Sequence, residues 1–216
     1  MSEYQYYEFL ALDKPLTDEQ RAELRKLSSR AEITATRFVN EYNYGDFRGN
    51  PEKLMERYFD VFCYLANWGT RRLMFRFPRA LLDAEAARKY CHTDAASVIV
   101  TDDHVIISLY LDRDPDGDWV EGDGQLGTMA QARSDLAAGD LRLLYLAWLL
   151  SVQWPDEDDE DNEDEIEPPV PAGLGNLSAP LQAIGRGPGE AGEAVRGGAV
   201  GRGTRQRTAQ ASRLGR

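Results

Sequence analysis

The chain has 216 residues, 42% hydrophobic and 10% aromatic, which is enough for one domain with appendages, but no apolar run reaches the length of a membrane span. Its net charge of −12 is segregated: residues 1–154 carry 18 basic and 25 acidic side chains, residues 155–171 carry 10 acidic and no basic ones, and residues 172–216 carry 7 basic and 2 acidic. A mildly acidic folded part disfavours general nucleic-acid binding, two cysteines make no disulfide framework, and the start, MSEYQYYEFLALD, lacks the basic and apolar regions of a secretory leader.

Residues 4–12, YQYYEFLAL, predict a first strand. Thr17 followed by Gln20 is a capping box, in which each side chain bonds the other's backbone N–H, and it predicts a helix over TDEQRAELRKLSSRA. The apolar positions of that helix are sparse, as suits a helix lying on one side of a sheet. ITATRFVNEYNYG then reads as extended, with Phe38 and Tyr42 on one face and Arg37 and Glu41 on the other.

Residues 49–78 give the strongest pattern. Asn50 is an N-cap, Pro51 suits the first helical position, and Leu54, Met55, Tyr58, Phe59, Phe62 and Leu65 recur at helical spacing. This predicts one helix running to Ala66, with Gly69 as its left-handed C-terminal cap. The period then changes to two: Leu73, Phe75 and Phe77 point one way, Arg72, Met74 and Arg76 the other, and Pro78 closes the strand.

After Pro78, LLDAEAARKYC predicts a short helix. ASVIV and VIISLYL predict a hairpin over residues 96–111, joined at Thr101, Asp102, Asp103 and His104. A polar loop leads to a helix from about Thr128, and Asp140 can cap the last one, LRLLYLAWLLSVQW. That last helix is apolar almost all round, so it is either buried or docked against a partner.

This order of elements predicts an α+β domain over residues 1–154. The expected form is a mixed sheet with helices mainly on one face, a ferredoxin-like flavour in its first half, and an apolar C-terminal helix. Residues 155–171 read as an acidic linker, too self-repelling to fold, and residues 172–184 as a short docking segment. Residues 185–216, rich in Gly and Arg and devoid of aromatic residues and Lys, read as a disordered tail. Such a composition fits either a genuine Arg/Gly tail or an altered reading frame of GC-rich DNA.

Asp112, Asp114 and Asp116 followed by Gly117 match the opening of a calcium loop, with Asp118 and Asp123 as further donors. An apolar Val120, the short Asp123 and a preceding strand all depart from that pattern, and a solvated turn is the favoured reading. Cys63, Cys91, His92 and His104 are the soft metal ligands, and their spacing fits no zinc site. Cys91 with His92 or His104, oriented by Asp102 or Asp103, is the one candidate for nucleophilic hydrolysis. No phosphate-binding, dinucleotide-binding or serine-nucleophile motif is present, and no cofactor is expected.

Arg71, Arg72, Arg76 and Arg79 cluster around one strand, and the face bearing Arg72, Met74 and Arg76 is the candidate partner-binding surface, receiving an acidic peptide or RNA. The competing reading pairs these arginines with the domain's own acidic surplus, including the tethered acidic run.

The phrases YQYYEFLALDKPLT, RFVNEYNYGDF, LMERYFDVFCYLANWGTRRLM and EPPVPAGLGNLSAPL resemble those of a family of uncharacterised bacterial proteins of unknown function. The resemblance covers roughly residues 1–182 and implies no activity, cofactor or site residue. The favoured function is a non-catalytic cytoplasmic module that binds another protein, away from membranes. The apolar helix at 140–154 and the arginine-bearing strand are its expected contact surfaces.

Overall fold

The computed structural model describes residues 3–93, 95–111, 126–153, 166–178 and 181–182. These residues form an α+β structure built on one sheet. Its strands are β1 (Gln5–Leu10), β2 (Glu32–Ile33), β3 (Arg37–Tyr42), β4 (Val61–Ala66), β5 (Arg71–Pro78), β6 (Ala96–Val100) and β7 (His104–Leu111). The order across the sheet is β2-β3-β1-β4-β5-β7-β6. Every pairing among the described residues is antiparallel, where a mixed sheet was expected. A ferredoxin-like unit leaves room for a third strand between two strands joined through a helix, whereas β1 and β3, joined through α1, are direct antiparallel neighbours.

The helices are α1 (Asp18–Arg25), α2 (Pro51–Arg57), α3 (Ala84–Arg88), α4 (Leu126–Ala137) and α5 (Arg142–Gln153). They pack on both faces of the sheet. The period of two sends Tyr6, Cys63, Phe75 and Ile107 to the first face, where they form one core with α3, α4 and α5. It sends Phe9, Phe62, Met74 and Ile106 to the second face, beneath α1 and α2. A sheet buried on both faces carries long apolar runs, and this is what blurs its strands in the sequence.

Local signals place the helix starts. Thr17 accepts from the Gln20 N–H while the Gln20 side chain accepts from the Thr17 N–H, so the capping box is complete. Asn50 accepts from Lys53 N–H ahead of Pro51, and Asp83 caps α3.

The predicted helix to Ala66 is not there. It stops at Arg57, and Val61–Ala66 is a strand between β1 and β5. All six of its residues except Tyr64 are buried, so the run shows no alternation, and an unbroken apolar run satisfies helical spacing as readily as strand spacing. Gly69, at φ 101°, turns the β4–β5 hairpin rather than capping a helix, and Ala66 N–H donates to Thr70 O across that turn.

The predicted contact helix is α5, and it is interior. Leu144 is fully buried, and Leu143, Leu146 and Trp148 are nearly so, in the core of the first face. Residues 166–178 cover it further. Tyr145 donates to Glu167 (2.7 Å), Tyr90 to Pro169 O (2.8 Å), and Arg142 to Gly173 O and Asn176 O. The last residues of the segment read as a linker, and the residues just after it, are thus held against the helices of the first face.

Candidate functional site

The structure takes the Cys/His set apart. Cys91 follows α3 and is buried in the first core, and burial pushes its thiol up to about 12, so little thiolate exists at neutral pH. Exposed His92 lies near the start of β6, next to the Thr93–Ala96 bridge, whereas His104 opens β7 at the far end of the hairpin, beyond the Val100–Val105 pair. The length of β6 separates them. Asp102 and Asp103 are exposed at that tip, and Asp103 O accepts the Arg79 N–H. Cys63, facing Glu8 across the strands, is fully sequestered, and burial followed by the Glu8 charge pushes its thiol up to about 12. Among the described residues no group of three His, Cys, Asp or Glu side chains could hold a metal ion. Asp112, Asp114, Asp116, Asp118 and Asp123 lie outside the described residues.

Of the arginine-bearing face, only part is open. Met74 is fully buried beneath α2 and Arg76 is 9% exposed, so neither can meet a partner. Arg76 is committed to Asp60, a completely buried carboxylate. Its Nη2 donates to Asp60 Oδ1 at 2.6 Å and its Nη1 donates to Glu56 O. Asp60 Oδ2 accepts the backbone N–H groups of Leu12 and Asp13. Arg133 of α4 closes the network, with a fork onto the Asp13 carboxylate, a bond to Arg76 O and its guanidinium over the Phe77 ring. The network ties the β1–α1 turn, β5 and α4 together, and it holds every charge to a partner as burial demands. Arg71 points to the first face opposite Leu65 and Leu111, and burial lowers its pKa.

Arg72 remains, on the second face near the open end of the sheet. Register places it directly between Tyr64 of β4 and Tyr110 of β7. Its Nε donates to the Oγ of buried Ser108 (3.1 Å) and its Nη2 pairs with half-open Glu52 of α2 (2.7 Å). Next to Tyr64 on β1 stands Tyr7, with ring centroids 4.7 Å apart, and Tyr42 meets Tyr7 edge-on at 5.8 Å. Gln5, buried at the sheet end, organises the group. Its Oε1 accepts from the Tyr7 and Tyr64 hydroxyls, and its Nε2 donates to Gly45 O and Asp46 Oδ1. Burial raises the pKa of both Tyr7 and Tyr64, which keeps them neutral donors.

The rim of this surface is aromatic and exposed: Tyr110 is 42% exposed, Trp68 of the β4–β5 turn 41% and Tyr44, just past β3, 81%. Register puts the ends of β3, β4 and β7 and the starts of β1 and β5 at one end of the sheet. The result is a platform of neutral phenols and an indole around one guanidinium, with Asp46 and Glu52 beside it. Its chemistry suits polar and aromatic contact more than a polyanion.

Arg72 is legible in the sequence as a candidate, whereas Tyr7, Tyr64, Tyr110 and Gln5 are not. Tyr64 falls in an apolar run that satisfies helical spacing, and the other three join it only through strand order. No protein-family model, curated protein or solved structure matches the chain. The likeness to bacterial proteins therefore rests on the quoted phrases alone.

Proposed function

We propose that this domain is a non-catalytic module that binds another protein through the open end of its second sheet face. The observation that carries this reading is the cross-strand row Tyr64–Arg72–Tyr110, rimmed by exposed Trp68 and Tyr44. Tyr, Trp and Arg are the side chains that concentrate at the energetic centres of protein interfaces: Tyr and Trp offer large area and a polar handle at low entropic cost, and Arg offers a planar fork of donors. Glu52 already balances Arg72, and Asp60 balances Arg76, which disfavours RNA as the occupant. The separation of Cys91 from His104 disfavours hydrolysis. Two buried free thiols fit a reducing compartment, the cytoplasm. No described helix is long and apolar enough to cross a membrane.

The test is a photoreactive amino acid placed at Tyr110 or Trp68 in the native host, with Glu19 on the exposed side of α1 as control. A discrete cross-linked protein from the two rim positions and none from position 19 is expected. The same products from all three, or none from the rim, would overturn the reading.

A further inference from the structure

The two edges of the sheet are built differently. β2, at one edge, has only Glu32 and Ile33, with a charged, exposed side chain on it, a short form that blunts pairing with another chain. β6, at the other, is ASVIV. It has no charge, no proline and a β-branched residue at three of its five positions. Ser97 is exposed, Val98, Ile99 and Val100 are partly so, and among the described residues no strand pairs with the outer side of β6.

The hydrogen-bond phase shows what that edge offers. Thr101 N–H donates to His104 O and Tyr110 N–H donates to Ala95 O, so odd-numbered residues bond to β7. The N–H and C=O groups of Val98 and Val100, and the C=O of Ala96, therefore point outward. The Ala96 N–H is already used by Thr93 O.

We propose that β6 docks a second copy of this chain, the two β6 strands pairing antiparallel about a two-fold axis through Val98. In that register Val98 faces its own copy and exchanges both backbone bonds with it, while each Val100 N–H meets the Ala96 C=O of the other strand. The side chains agree with this pairing. Val98 meets Val98 and Ala96 meets Val100 on the first face, and Ser97 meets Ile99 on the second, so no charge is buried and no apolar residue faces a charged one. A two-fold contact closes on itself, which turns an edge that invites open-ended pairing into a finite dimer.

The full chain is examined by light scattering after size exclusion at concentrations on the order of 100 µM, because a strand-to-strand interface this small binds weakly. A dimer is expected. Val98→Pro removes an outward N–H and no bond to β7, a substitution edge strands accept, so it should give a monomer with unchanged circular dichroism. Val98→Cys reports the register independently of that variant. Directly opposed residues are close enough for a disulfide, whereas copies of position 97 are diagonal neighbours about 7–8 Å apart. Air oxidation should therefore link the two copies of position 98, and Ser97→Cys should stay unlinked. A native monomer, a dimer unchanged by Val98→Pro, or absence of the position-98 disulfide would each overturn the proposal.

Discussion

Replacing Asp60 by alanine removes the acceptor at the centre of the buried charge network. Three groups lose an acceptor at once: the Arg76 guanidinium, which is 2.6 Å from Oδ1 and keeps only Glu56 O, and the N–H groups of Leu12 and Asp13, which are 2.7 and 2.9 Å from Oδ2. Removing one member of a buried ion pair costs about 3–5 kcal/mol, and the two orphaned amides, on exposed Leu12 and Asp13, add about 1 kcal/mol or less each because water can reach them. These terms overlap, because one water entering the vacated space would serve several groups, so a net loss of about 4 kcal/mol is expected. Domains of this kind are stable by about 5–15 kcal/mol, so the variant should fold but melt early. With a urea slope of about 2 kcal/mol per molar, the midpoint should fall by roughly 2 M, read by tryptophan fluorescence. Asp60→Ala combined with Arg76→Met removes the stranded charge and should recover more than about 1 kcal/mol of the loss. A single-variant loss below about 1 kcal/mol, or no recovery in the pair, would refute the view that this network anchors α4 and the β1–α1 turn to the sheet.

Leu144→Ala, at a fully buried position of α5, should cost about 2–5 kcal/mol in the same assay, and a cost under about 1 kcal/mol would mean that α5 is not interior. Thr17→Ala breaks the capping box of α1 and should cost about 1 kcal/mol. Stability should fall on the alkaline side. Burial moves the Cys63 and Cys91 thiols from 9.0 up to about 12, so between those pH values the unfolded chain sheds protons that the folded chain keeps. The contribution is complete below pH 9 and declines by about 1.4 kcal/mol per pH unit for each thiol as pH rises. Cys63→Ala should remove one thiol's share of that slope, and an unchanged slope in urea titrations from pH 9 to 11 would contradict the assignment.

What the sequence revealed depended on whether the deciding contact was local. Thr17 with Gln20, Asn50 with Pro51 and the β6–β7 hairpin each lie within a few residues, and each was legible. The alternation of β5 is also legible, and it separates Phe75 and Phe77 from Arg72, Met74 and Arg76. The state of those three side chains was not legible. Arg76 owes its burial to Asp60 on another strand, and Arg133 bonds Asp13, which is 120 positions away. β4 failed for a different reason: a strand covered on both faces shows neither period, and Tyr64 was the one position at which its exposure differed. The tyrosine platform followed β4 out of view, because Tyr7, Tyr64 and Tyr110 become neighbours only in the order β1-β4-β5-β7.

The contact surface itself can be tested by hydroxyl-radical footprinting of the protein, alone and in native-host extract. Tyr110, Trp68 and Tyr44 serve as reporters at the rim, and Leu12 and Leu81, 42% and 52% exposed elsewhere, serve as references. Oxidation of the three rim residues should fall in the extract relative to the two references. Unchanged rim oxidation, or protection centred on Leu12 or Leu81, would contradict it.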